Sequence, residues 1–154
     1  MNRLRSTEVT DKIEIETLIE APKSEVWDVV TKPEHIAQWF GCIAEFELKP
    51  GATGRLIWKD HGEASLTVVE VDAPNLFSFR WISADEVTQN IKGETLVTFT
   101  LSEVNGTTRL LLTESGFDQL DLSDADRDTL RDKHTGGWGT FAIKIKENSL
   151  SAHG

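Results

Sequence analysis

Ser123–Leu150 reads SDADRDTLRDKHTGGWGTFAIKIKENSL, and its periodicity decides the fold. Leu130, His134, Trp138, Phe141 and Ile145 recur every three or four residues, which puts them on one stripe of a long amphipathic helix. Ser123 stands before the stripe as an N-cap, and Asp126, three residues on, echoes a capping box. Asp124, Asp126 and Asp128 load the first turns with negative charge, and Lys144 and Lys146 sit toward the far end, as the helix dipole favours. Gly136, Gly137 and Gly139 interrupt the middle. Each costs about 1 kcal/mol relative to alanine in a helix interior. The expectation is that a sheet or a ligand comes close enough there to exclude side chains.

Upstream of this helix the period is two. Ile13, Ile15, Thr17 and Ile19 alternate with Glu14, Glu16, Leu18 and Glu20, the mark of a strand with one buried face. Residues 1–10 read as a loose start. Pro22 opens a short helix with Val26, Trp27, Val29 and Val30 on its apolar side, and Pro33 opens a second with Ile36, Trp39 and Phe40 on one face. Gly41 stops it. Six strands follow: Ile43–Leu48, Arg55–Lys59, Glu63–Val71, Leu76–Ile82, Thr95–Glu103 and Arg109–Glu114. Pro50-Gly51, Asp60-His61-Gly62, Ala73-Pro74 and Asn105-Gly106 punctuate them, the last being the strongest hairpin signal. Ser83–Gly93 reads as a polar loop and Gly116–Leu122 as a linker. The chain from 11 to 150 is therefore expected to be a single α+β domain. Its seven-stranded antiparallel sheet has one apolar face, and the final helix alone is long enough to cover it. Twist curls such a sheet into a half-barrel.

Bulk properties narrow the function. At 154 residues the chain can bury a core without staples. A net charge of −10 disfavours nucleic acid and anionic membranes as partners. Cys42 is the single cysteine, so no intrachain disulfide forms and a reducing, cytoplasmic setting is expected. No apolar run suggests a signal peptide or membrane insertion. Asp124-x-Asp126-x-Asp128 begins like a calcium loop, but Thr129 and Thr135 occupy the positions that need Gly and Glu. His35, His61, His134 and Cys42 are scattered singly, so no metal is expected. There is no GxSxG, no P-loop and no dinucleotide fingerprint.

Several local motifs recur together: Ala21-Pro22 with Val26-Trp27, Ile36–Phe40, Glu70–Pro74, Phe79-Arg80-Trp81, Val97-Thr98-Phe99, Thr108-Arg109-Leu110, Thr113–Phe117 and Gly137-Trp138. In this order the chain resembles the SRPBCC, or START-like, helix-grip superfamily, and within it the activator-of-heat-shock-protein-ATPase C-terminal-domain-like family. The resemblance covers roughly residues 11–148. It implies a helix-grip fold with a cavity between curled sheet and last helix, which relatives use for lipids, sterols, hormones or polyketides. The family usually has His where this chain has Glu114. About ten residues precede the first strand, too few for the extra N-terminal domain of eukaryotic chaperone activators.

The expected ligand-binding set is Trp39, Phe46, Trp58, Phe77, Phe79, Trp81, Phe99, Leu112, Glu114, His134, Trp138 and Phe141. The aromatic members, like Phe40 and Phe117 beside them, also read simply as core. Glu114 shares strand parity with Leu110 and Leu112, and His134 lies on the Trp138 stripe. If both face inward they meet as a carboxylate–imidazole pair, able to orient a ligand or move a proton. The plainer reading leaves Glu114 in water at the end of its strand and His134 at the boundary. Arg80 points away from the Phe77–Phe79 face. Three functions follow: a binder of a small apolar or amphipathic molecule, a cyclase or hydrolase using Glu114 and His134, or a chaperone-linked interaction module. No cofactor is expected, and the chain should be a monomer or weak dimer.

Overall fold

A computed structural model describes residues 12–59, 62–82 and 93–153. Strand β1 (Lys12–Ile19) leads into helices α1 (Lys23–Thr31) and α2 (Pro33–Phe40). Then come β2 (Ile43–Glu45), β3 (Thr53–Trp58), β4 (Gly62–Asp72), β5 (Leu76–Trp81), β6 (Thr95–Val104) and β7 (Thr107–Ser115). One 3-10 turn, Phe117–Gln119, precedes the long helix α3 (Asp124–His153). The expected order holds. The expected loop at 83–92 and the turn residues 60–61 lie outside the described residues.

All strands form one antiparallel sheet in the order β1-β7-β6-β5-β4-β3-β2. The meander from β2 to β7 follows from its sequential antiparallel pairing. At the β6–β7 hairpin, Asn105 and Gly106 have φ of 52° and 81°, the left-handed pair that an Asn-Gly turn supplies with little strain. β1 pairs with β7 because α1 and α2 carry the chain across between the first two strands.

The helix termini follow from the sequence with one exception. The Asp126 N–H donates to Ser123 Oγ at 3.1 Å, so Ser123 caps α3 as expected. Gly41 ends α2 in the left-handed conformation, φ 69°. Pro22, expected as the first residue of α1, instead precedes it in an extended conformation. No side chain of its own caps α1; the Lys23 N–H donates to Glu103 Oε1 of β6 at 2.7 Å. A carboxylate there also suits the helix dipole.

β2 stops at Glu45, three residues short of the expected Leu48. The cause is Gly54. The ladder reaches Glu45↔Arg55, and the chain then settles onto Gly54, where a Cβ would overlap Glu45 O and Phe46 Cβ and lie 2.9 Å from Phe46 Cα.

The inner face of the sheet contributes Ile13, Leu56, Leu66, Val68, Phe77, Phe79, Trp81, Val97, Phe99, Leu110 and Leu112 to one core. α1 and α2 add Val26, Val30, Ile36 and Trp39, and α3 adds Leu130, Trp138 and Ile145. The helical glycines do not serve the role expected of them. Gly136 and Gly139 have no atom within 4 Å of where a Cβ would stand, and Gly137 meets only a Phe141 ring carbon at 3.8 Å. At about 100° per residue, Gly136 lies nearly opposite Trp138, and Gly137 and Gly139 lie on the flanks. Among the described residues, none has a sheet atom within 4 Å of its Cβ position.

Candidate functional site

Glu114 is the centre of the interior. Its parity on β7 turns it inward beside Leu112, and the register Ile13↔Glu114 and Val97↔Glu114 sets it between β1 and β6. It is 0% exposed, so the plainer expectation of a solvated carboxylate at the strand's end is overturned. Four donors converge on it. Oε1 accepts from Trp138 Nε1 at 2.8 Å and from His134 Nδ1 at 2.7 Å. Oε2 accepts from Trp81 Nε1 at 3.0 Å and from Thr95 Oγ1 at 2.6 Å. An ionised carboxylate only accepts and has about four lone-pair sites, so its capacity is filled and His134 Nδ1 carries a proton.

The electrostatics agree with the geometry. Burial pushes the Glu114 carboxyl up, but the His134 hydrogen bond and charge, with the Thr95 and Trp138 hydrogen bonds, outweigh it and hold the carboxyl below its ordinary value. The His134 side chain is 10% exposed, with its ring edge-on to Phe117 at 5.6 Å and tilted against Trp81 at 5.9 Å.

Around this centre the aromatic residues pack on one another. Phe40 is the hub: its ring lies 5.0 Å from Trp39, 5.2 Å from Trp58, 5.6 Å from Trp81, 5.5 Å from Trp138 and 4.6 Å from Phe141. Phe46, Phe77 and Phe99 form a stacked ladder with spacings of 6.3 and 6.1 Å. Phe79 bridges Phe77 and Trp81. Leu112 sits opposite Phe99. The expected set therefore comes together around one interior. Phe46, Trp58, His134 and Phe141 are half-buried, and the rest are buried.

Two contributors were missing from that set. Thr95 shares strand parity with Val97 and Phe99, a signal that places its hydroxyl inward. Phe40 shares the apolar face of α2 with Ile36.

The space between sheet and helices is closed. Ile36, Trp39, Phe40, Phe46, Leu56, Leu66, Phe79 and Phe99 enclose a cavity of about 10 Å³. That is room for about one water molecule, and an apolar void of this kind stays dry. A larger groove of about 590 Å³ lies outside, between β1 and α3, lined in part by Ile15, Leu18, Gly139, Ile143 and Leu150. Cys42 is half-buried, and burial pushes its thiol up to about 11. Among the described residues no three His, Cys, Asp or Glu side chains gather as metal ligands, and no helix is long and apolar enough to cross a membrane.

A curled antiparallel sheet that grips its C-terminal helix, with two short helices after the first strand, defines a helix-grip domain of the SRPBCC type. Residues 20–148 match the family described as activator of Hsp90 ATPase homolog 1-like protein, and the chain belongs to it. Solved structures share the fold. Protein MLL2253 from Mesorhizobium loti is 22% identical over 89% of this chain and 95% of its own, with a TM-score of 0.75. DynU16, a protein in the dynemicin biosynthetic locus, is 23% identical over 93% of this chain and 48% of its own, with a TM-score of 0.73. PFC0360w, an HSP90 activator from Plasmodium falciparum, is 22% identical over 68% of this chain and 72% of its own, with a TM-score of 0.58. No curated relative matches significantly.

Proposed function

We propose that this domain binds a small apolar molecule between the curled sheet and its helices and does no chemistry on it. The observation that carries this is the apolar, aromatic lining of the interior, whose own void has room for about one water molecule, so a ligand enters by displacing side chains. Such a site holds its ligand by burying apolar surface. That DynU16, which shares the fold, lies in a biosynthetic locus favours a small biosynthetic molecule as the ligand. Catalysis by Glu114 and His134 is disfavoured, because all four acceptor positions of Glu114 are occupied by protein donors. The test is a panel of lipids, flavonoids and polyketides, followed by tryptophan fluorescence and by NMR shifts of the Trp39, Trp81 and Trp138 indole N–H signals. Saturable shifts in these signals support the reading. A panel that moves none of them ends it.

A second reading, a chaperone-linked interaction module, draws on the groove between β1 and α3. Leu18 and Ile143, on either side of it, are 58% and 61% exposed. It predicts that the protein stimulates an Hsp90-type ATPase and that Ile143→Glu abolishes the effect. No stimulation by the unaltered protein would dismiss it.

A further inference from the structure

We infer that Phe46 is the gate of the interior and that it admits a flat, uncharged aromatic molecule with no hydrogen bonds to satisfy. The inference deepens the ligand-binding reading and rests on it. Of the eight side chains around the void, Phe46 alone is not buried. Among the described residues it is therefore the lining side chain that reaches solvent.

The backbone explains how it comes to be there. Gly54, Leu56 and Trp58 share one face of β3, and Leu56 on that face is buried. The Cβ of Phe46 occupies the place where a Gly54 side chain would begin. Phe46 thus reaches into the interior from outside the ladder, and its ring stacks on Phe77. The segment is held at its two ends. On one side the β2–β3 ladder closes at Glu45↔Arg55. On the other, Gly51 N–H donates to Val68 O and Val68 N–H to Ala52 O, both at 2.8 Å. Between these anchors, among the described residues, no backbone hydrogen bond joins Phe46 or Leu48 to the sheet. The ring can swing out without breaking a directional bond.

The ligand chemistry follows from the interior donors. Trp39 Nε1 donates to Val29 O and Trp58 Nε1 to Phe40 O. Trp81 and Trp138 donate to Glu114. None of these four indoles has an N–H left for a ligand, and Glu114 has no acceptor site left. A polar group brought in here would be desolvated without a partner. Aromatic walls favour a flat ring system.

The test uses naphthalene and its charged analogue 1-naphthoate, with association followed by stopped-flow tryptophan fluorescence. A closed gate lowers the apparent on-rate by the open fraction, so Phe46→Ala should raise naphthalene's on-rate at least about tenfold. Leu66→Val enlarges the same void behind the gate, and without opening the gate it should not reproduce the tenfold rise in on-rate. Naphthoate should bind neither the unaltered protein nor Phe46→Ala. Far-UV circular dichroism checks that both variants fold. Naphthalene binding with equal on-rates in the unaltered protein and Phe46→Ala refutes the gate and leaves the ligand-binding reading standing. Equal binding of naphthoate refutes the stated ligand class. If naphthalene fails with every variant while another ligand shifts the indole signals, the inference falls alone; if nothing binds, both fall.

Discussion

Glu114→Gln keeps the shape of the interior and removes one acceptor oxygen. In the native protein each carboxylate oxygen takes two donors, His134 and Trp138 on Oε1, Trp81 and Thr95 on Oε2. An amide has one oxygen and one NH₂ group. With the NH₂ on the Oε2 side, the Thr95 hydroxyl can turn to accept, but the Trp81 N–H cannot. With the NH₂ on the Oε1 side, His134 can present an unprotonated Nδ1, but the Trp138 N–H cannot adapt. Either orientation leaves one indole N–H buried without a partner. Such a group costs about 1–3 kcal/mol, and losing charged hydrogen bonds moves the expectation to about 2–3 kcal/mol.

Glu114→Ala removes every acceptor and leaves a hole, for about 3–5 kcal/mol. In a domain of this size 1 kcal/mol shifts Tm by about 2–4 °C, so Glu114→Gln should melt about 5–10 °C lower. Urea and thermal unfolding followed by fluorescence measure both. The orphan also predicts a coupling: Trp138→Phe should cost less in the Glu114→Gln background than alone, by about 1 kcal/mol in a double-mutant cycle. Glu114→Gln within about 0.5 kcal/mol of the native protein, with no coupling, would refute Glu114 as the acceptor that organises the interior.

Three further outcomes follow from the same geometry. The Glu114 carboxyl is held below its ordinary 4.5, so its stabilising contribution is present above that pH and is lost as pH falls through the lower native value. Urea midpoints between pH 5 and pH 3 should therefore fall more steeply for the native protein than for Glu114→Gln. Gly136→Ala, with open space around the new Cβ, should stabilise by about 1 kcal/mol, whereas Gly54→Ala should destabilise by about 1–3 kcal/mol or more; urea midpoints separate the two. With its thiol near 11, Cys42 should alkylate far more slowly at pH 7.5 in the folded protein than in urea, as mass spectrometry would show.

The fold was legible because each strand announces its inner face by parity and the last helix announces its stripe. Parity also aimed Glu114 inward, and periodicity aimed His134 at it. What could not be read was their common centre. Trp81 and Thr95 belong to separate strands, and only the register Trp81↔Thr95, with Val97↔Glu114, brings a tryptophan, a threonine and a carboxylate together. Register depends on pairing between strands, which a single strand's pattern does not contain. The helical glycines misled for a related reason: their cost is local and visible, but which flank they occupy depends on the helix's rotation over the sheet. β2 was overextended because Phe46 keeps strand parity while its backbone has already left the ladder over Gly54.

These two ends of the interior differ in how they are held. At one, a single carboxylate on β7 ties together β5, β6 and α3 through four hydrogen bonds. Charge-assisted bonds of this kind are short and directional, and separating α3 from the sheet there strands the His134 and Trp138 donors together. At the other end, Phe46 stacks on Phe77 and otherwise meets the core through apolar contacts. Apolar contacts are non-directional and are partly recovered when a ring rotates or a ligand replaces it. An opening of the interior therefore costs least at the Phe46 corner and most at Glu114. A ligand that enters leaves the Glu114 clamp intact. That argues for Glu114 as the fixed point against which the apolar corner moves, and not as a group that meets the ligand.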